Sequence, residues 1–228
     1  MTLSEVAART GLTRAGARRI LLTLAQLGYV TVEGRQFRLS ARILDLGFAY
    51  LSSMPFWDLA EPIMEALVDE VHESCSASVL DGTDIVYVLR IPTRKIMTIS
   101  LGPGSRLPAW CTSMGRVLLS GLDDAEVDAV LRKSKLEART SRTVTDRAEL
   151  RRLIAEVRTR GWAVVNQELE EGLVSISAPI RERSGRILAA MNVSGQANRT
   201  PPQQMVRRFL PPLRAAADRL TELMRRRS

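Results

Sequence analysis

Thiols and imidazoles are scarce in this 228-residue chain, which holds two cysteines, Cys75 and Cys111, and one histidine, His72. Two thiols cannot build a disulfide framework, and one imidazole gives little basis for a metal site. No metal and no cofactor are expected. No run approaches the roughly 18–20 apolar residues of a membrane span. The opening Met1-Thr2-Leu3-Ser4-Glu5 has no basic stretch followed by an apolar one, so no secretory signal is expected. A cytoplasmic location without membrane partners is the expectation. Lysine is nearly absent, three residues against thirty arginines, so arginine richness by itself carries little weight.

What is present is an ordinary globular composition, 45% hydrophobic and 25% charged, with a net charge of +8. The length suits one or two domains. The positive charge is unevenly placed. Residues 1–40 hold six arginines against two acids, residues 199–228 hold eight against two, and the middle has 19 bases against 21 acids. The arginines closing the chain read as a helix end favoured by its dipole. The basic N-terminal segment on a near-neutral body points to an anionic partner.

Thr2-Leu3-Ser4-Glu5 fits a capping box opening a short helix, and Gly11 ends it with a left-handed backbone. Thr13 can cap a second helix with Ala17, Ile20, Leu21 and Leu24 on one apolar face. Arg14, Ala15, Arg18 and Arg19 lie near its start, mostly off that face. A small Ala7, a turn glycine four residues later and apolar residues at 12, 17 and 20 match a helix-turn-helix. Two short alternating strands around Glu33-Gly34 follow as a wing, with Arg35 at its tip. Residues 1–40 are therefore expected to bind double-stranded DNA through Ser4, Thr13, Arg14, Ala15, Arg18, Arg19 and Arg35. The helix that usually precedes such a pair is missing from the sequence. Either the natural start lies upstream of Met1 or the domain is truncated, and Leu22 is then left without cover.

Residues 41–58 read as a linker helix, apolar on more than one side through Ile43, Leu44, Leu46, Phe48, Tyr50 and Leu51 and ended by Pro55. It is expected to pack against a second copy, giving a dimer or tetramer. Residues 59–228 read as one α/β sheet domain. A helix over 59–73 precedes strands at 77–80, 85–91 and 97–101 and a Gly/Pro-rich loop at 102–108. Helices follow at 113–120, 124–132 and 147–160, then strands at 163–166, 174–180 and 187–194, and a helix at 202–225. The fold class is α+β.

Ser175 and Ser177 project to one face of their strand, and Asn192 and Ser194 do the same on the next. Such groups either line a small polar pocket or are ordinary wet exterior. Cys111 as a nucleophile would need an adjacent base, and a buried structural thiol is the plainer reading. His72 is expected to be exposed. Trp110 either walls a pocket or fills core.

The chain resembles the IclR family of bacterial transcriptional regulators. The resemblance rests on Leu107–Leu119 (LPAWCTSMGRVLL), Gly172–Ile180 (GLVSISAPI) and Ala189–Gly195 (AAMNVSG). The first of these and Leu89–Lys95 (LRIPTRK) are most similar to the branch regulating protocatechuate, 4-hydroxybenzoate and β-ketoadipate catabolism. The resemblance implies a winged helix, a linker helix and a GAF-like effector domain. It also implies a small organic acid as effector, bound by Ser113, Met114, Ser175, Asn192 and Ser194. Trp110 joins that set as a pocket wall. Arg106, with Arg90 or Arg94 as alternatives, is either the counter-charge or an ordinary surface arginine, and Gln167 and Glu168, before the Glu-rich loop, are expected to border the pocket. The helix starting near Thr112-Ser113 adds N–H groups suited to a carboxylate. No catalytic residue is expected. Two other readings remain open: a sensing and dimerisation module without competent DNA binding, and a small-molecule enzyme using Cys111.

Overall fold

The computed structural model describes residues 1–53, 57–93 and 101–227. The chain divides into two compact units, Met1–Pro55 and Phe56–Ser228, so the linker helix falls within the first.

In the first unit, α1 (Leu3–Thr10) starts on the expected capping box. Thr2 Oγ1 accepts from the Glu5 N–H at 3.3 Å, and the Glu5 carboxylate accepts from the Thr2 N–H at 2.7 Å. Gly11, at φ 67°, turns the chain where a side chain would be strained. Helix α2 (Arg14–Gln26) is capped by Thr13, whose hydroxyl accepts from Gly16 N–H at 3.1 Å. Strands β1 (Val30–Glu33) and β2 (Gln36–Leu39) form the antiparallel wing. The Phe37 N–H donates to the Met1 carbonyl at 2.7 Å, which ties the first residue to the wing.

Ala7, Ala17, Leu21 and Val30 make the core of this unit. Ile20, expected to be buried with them, is 49% exposed. One packed helix covers only the Ala17–Leu21 line, and Ile20 lies a step of about 100° around the helix from Leu21. Leu22 is exposed as well. Helix α3 (Ile43–Ser52) buries no residue, and Leu44 and Phe48 are 71% and 69% exposed.

The second unit is built on a six-stranded antiparallel sheet. Helix α4 (Trp57–Val71) leads into β3 (Ser74–Asp81) and β4 (Asp84–Ile91). Next come β5 (Arg106–Pro108) and helices α5 (Ser113–Leu119), α6 (Asp124–Lys133) and α7 (Arg147–Arg160). Strands β6 (Ala163–Asn166), β7 (Leu173–Arg181) and β8 (Ile187–Gln196) complete the sheet in the order β5-β4-β3-β8-β7-β6. The chain closes with α8 (Pro202–Gln204), a π turn at Met205–Phe209, and α9 (Leu210–Arg227). Helices α4 and α9 pack on one face of the sheet and on each other, and α5 packs on the opposite face with α7 behind it. Among the described residues no helix is long and apolar enough to cross a membrane.

Several expected boundaries shift. Strand β3 begins three residues early because Ser74 and Ser76 are buried. With helices over both faces of the sheet, polar and apolar positions no longer mark inside and outside. The Gly/Pro loop contains a short strand, β5, paired with β4. The strand expected at 97–101 falls outside the described residues except for Leu101, which is not in a strand.

Candidate functional site

The face of the sheet beneath α5 is polar. Ser76 pairs with Asn192 and Asn192 with Ser177, and Ser74 pairs with Ser194 and Ser194 with Ser175. A bulge shifts the β3–β4 register, so Ser76 pairs with Arg90 but Ser78 with Tyr87. Ser76 and Ser78 share a face, so the bulge brings Arg90 and Tyr87 onto that face as well. A hydrogen-bonded chain crosses it. Arg90 Nη1 donates to Ser76 Oγ at 3.2 Å, Ser76 N–H to Asn192 Oδ1 at 3.1 Å, and Asn192 Nδ2 to Ser194 Oγ at 2.9 Å. Both polar ends of the Asn192 amide are thereby oriented.

Helix α5 presses on this face. Thr112 caps it, accepting from Gly115 N–H at 3.2 Å and donating to the Pro108 carbonyl at 3.1 Å. A Cβ on Gly115 would lie 2.0 Å from the Ala109 carbonyl oxygen, so only glycine permits this approach. Between α5 and the sheet lies a cavity of about 20 Å³, room for one water. Tyr87, Thr112, Ser113, Asn192, Ser175 and Ser194 give it polar walls, and Met114, Val165, Leu169 and Leu173 give it apolar ones, with Cys111 beside them. Ser113 Oγ has no hydrogen-bond partner, and among the described residues it is the one buried side-chain oxygen or nitrogen so left. Carrying it costs about 1–3 kcal/mol.

Five of the seven expected effector residues therefore meet at one cavity: Ser113, Met114, Ser175, Asn192 and Ser194. Arg106 and Trp110 do not line it. The Arg106 guanidinium is bound at the surface by Asp81 at 2.7 Å and Asp84 at 3.3 Å, which raise its pKa. Trp110 is 2% exposed and borders a separate cleft with Lys133 and Arg139. Arg94 lies outside the described residues. Tyr87 is the residue that sequence reasoning missed. Simple alternation does not reveal it, because the bulge is a tertiary feature. Burial pushes its phenol up to about 12. Burial likewise raises the Cys111 thiol to about 11, so it is a protonated, unactivated group at neutral pH. The single histidine is exposed and does not line the cavity.

Glu168 does not enter the cavity but fixes its border. Its two oxygens accept from Arg116 Nη1 at 2.7 Å and Nη2 at 2.6 Å, with both residues buried. Arg116 Nε also donates to the Trp110 carbonyl at 3.1 Å.

On the first unit, Thr13, Arg14, Ala15, Arg18 and Arg19 are all exposed on α2 or at its cap, Ser4 is exposed on α1, and Arg35 is exposed beside the wing turn. Among the described residues none of Arg14, Arg18, Arg19 and Arg35 is paired with a carboxylate, whereas Arg38 pairs with Glu33 at 3.3 Å. The α2 face is thus positive and open.

A winged helix-turn-helix carrying unpaired arginines, on a chain whose second unit encloses a small polar cavity, defines a ligand-responsive transcriptional regulator. Residues 1–34 match the IclR helix-turn-helix domain, and residues 48–222 match the C-terminal domain of the bacterial transcriptional regulator IclR. The chain belongs to the IclR family of bacterial transcriptional regulators, and is a regulator rather than an enzyme. It is 44% identical to the Pca regulon regulatory protein of Pseudomonas putida, over 95% of this chain and 75% of that one. It is 34% identical to the p-hydroxybenzoate hydroxylase transcriptional activator of Acinetobacter baylyi, over 98% and 84%. Among solved structures, a transcriptional regulator from Rhodococcus sp. RHA1 superposes with a TM-score of 0.82 at 50% identity, covering 97% of this chain and 89% of that one. An IclR homologue from Microbacterium hydrocarbonoxydans complexed with 4-hydroxybenzoate superposes with a TM-score of 0.83 at 26% identity, covering 100% and 92%.

Proposed function

We propose that this regulator binds a small aromatic carboxylic acid of the hydroxybenzoate class in the cavity under α5, and that this changes its grip on a pseudo-palindromic operator. One observation carries the reading. Ser113 Oγ is buried without a partner, and Ser113 and the oriented Asn192 amide line the same cavity, which has apolar walls as well. A flat ring bearing polar groups matches that set, with Met114, Leu169 and Leu173 against its faces and hydroxyl and amide groups at its rim. Arg90 places positive charge on the same sheet face and suits a carboxylate. The relatives named for the Pca regulon and for p-hydroxybenzoate hydroxylase, and the homologue complexed with 4-hydroxybenzoate, support this class.

The head uses α2 in a major groove, with Arg14, Arg18 and Arg19 reaching base edges and phosphates and Arg35 reaching from the wing. One head covers a half-site, so two copies are required, and the exposed apolar side chains of α3 supply a surface for pairing. Such a regulator works in the cytoplasm, where its operator is. Binding need only favour one arrangement of the paired heads over another. Calorimetry with 4-hydroxybenzoate, benzoate and β-ketoadipate tests the effector. Saturable binding of the aromatic acids, weakened in Asn192→Ala, is expected, and binding of none of them refutes it. A second reading, a sensing module without competent DNA binding, is favoured by the exposure of Ile20, Leu22 and Leu27 on the head. Salt-insensitive or absent binding to operator fragments would select it.

A further inference from the structure

We propose that Glu168 is a latch that holds the cavity closed, and that releasing it from Arg116 is the step that admits the effector. This inference rests on the reading of the cavity as the effector site. The room available, about 20 Å³, holds a water and not an aromatic ring, so some wall must move. Tyr87, Asn192, Ser175 and Ser194 stand on paired strands, and Ser113 and Met114 on a buried helix. Cys111 and Thr112 come from the turn before α5, where Cys111 is buried and Thr112 is bonded to the Pro108 carbonyl, and Leu169 comes from the connection between β6 and β7, next to Leu173 at the start of β7.

That connection is tied near its far end, where Ala197 N–H donates to the Gly172 carbonyl at 2.8 Å and Gly172 N–H to Gln167 Oε1 at 2.9 Å, and its side-chain fastening to the rest of the domain centres on Glu168. The Glu168 carboxylate takes both guanidinium nitrogens of Arg116 and also accepts from Val144 N–H at 3.2 Å. Thr143 Oγ1 donates to the Glu168 carbonyl at 2.7 Å, and Thr140 Oγ1 donates to the Gln167 carbonyl at 2.6 Å. Beyond Glu168 the chain runs out to exposed Glu170, Glu171 and Gly172 before returning at Leu173. Gln167, at φ 60°, is held in a left-handed conformation that a non-glycine residue rarely takes. Freed of Glu168, the segment has a backbone reason to relax outward. A bidentate buried pair at one end of this wall sets both the size of ligand admitted and how long it stays. Glu168 and Arg116 are positioning residues and need touch no ligand.

The two cysteines provide the test. Cys111 lines the cavity, whereas Cys75 is wholly buried on the other face of the sheet and reacts only when the whole domain opens. Labelling of the full chain with methyl methanethiosulfonate, read by mass spectrometry, gives both rates in one sample. In Glu168→Gln, Cys111 is expected to react at least tenfold faster with the Cys75 rate unchanged. Thr143→Val, which removes the bond to the Glu168 carbonyl together with the bonds its hydroxyl makes to Arg139 N–H, Thr140 N–H and Thr140 Oγ1 but keeps the ion pair, should give a smaller rise and serves if the first variant folds poorly. Equal acceleration of both thiols, or acceleration of neither, in both variants overturns the latch. Saturating 4-hydroxybenzoate should shield Cys111. A raised Cys111 rate that 4-hydroxybenzoate does not suppress supports the latch and counts against the aromatic-acid reading.

Discussion

Replacing Ser113 with alanine should strengthen the empty protein and weaken the bound one. The hydroxyl is fully buried and makes no hydrogen bond, which costs about 1–3 kcal/mol. Alanine removes that cost, loses only the oxygen's few packing contacts, and leaves the Thr112 cap in place. A gain of about 1 kcal/mol is expected, or about 2–4 °C in Tm for a domain of this size. With effector present the hydroxyl is answered, and its loss forfeits a neutral hydrogen bond of about 1–1.5 kcal/mol. The Kd for 4-hydroxybenzoate should therefore rise about tenfold. Differential scanning fluorimetry of the ligand-free protein and calorimetry with ligand read the two effects separately. A ligand-free variant less stable than wild type, with unchanged affinity, would refute the reasoning.

Other expectations follow from the same geometry. Arg18→Ala should leave Tm unchanged, because the side chain is exposed, while lowering operator affinity and reducing the salt slope by about one in a fluorescence anisotropy titration. Gly115→Ala forces a carbon to 2.0 Å from a backbone oxygen and should destabilise the effector domain by about 3 kcal/mol or more in urea unfolding. The Cys111 thiol, raised from 9.0 to about 11 by burial, binds its proton more tightly folded than unfolded. Its contribution is therefore fully present below about pH 9 and is lost as pH rises toward 11, so Cys111→Ala should flatten the alkaline limb of the stability profile in that window. Phe48→Ala, at a residue 69% exposed on α3, should weaken self-association in analytical ultracentrifugation without unfolding the chain.

Local chemistry made much of this fold readable. The Thr2–Glu5 box, Gly11, the Thr13 cap and the Glu33-Gly34 turn each act within a few residues, and all stand where spacing placed them. Period-2 alternation placed Ser175 with Ser177 and Asn192 with Ser194, and those pairs do share a sheet face. What escaped depends on distant partners. The bulge opposite Ala77 and Ser78 brings Tyr87 to the cavity, and no alternation pattern announces it. Arg106 read as either a counter-charge or a surface arginine, and its partners Asp81 and Asp84 lie 25 and 22 residues earlier in the chain. Glu168 read as a bordering residue, and its partner Arg116 lies 52 residues earlier in the chain. Ile20 fitted a helical face in sequence, but the packing of α1 and the wing on α2 buries Ala17 and Leu21 and leaves Ile20 49% exposed.

A crystal structure of the full chain grown with 4-hydroxybenzoate tests the account most directly. The account predicts the ring between Met114 and Leu169, one of its oxygens within hydrogen-bond distance of Ser113 Oγ, and the segment around Glu168 displaced. A ligand bound elsewhere, with Ser113 still unpartnered and the cavity still closed, would contradict it.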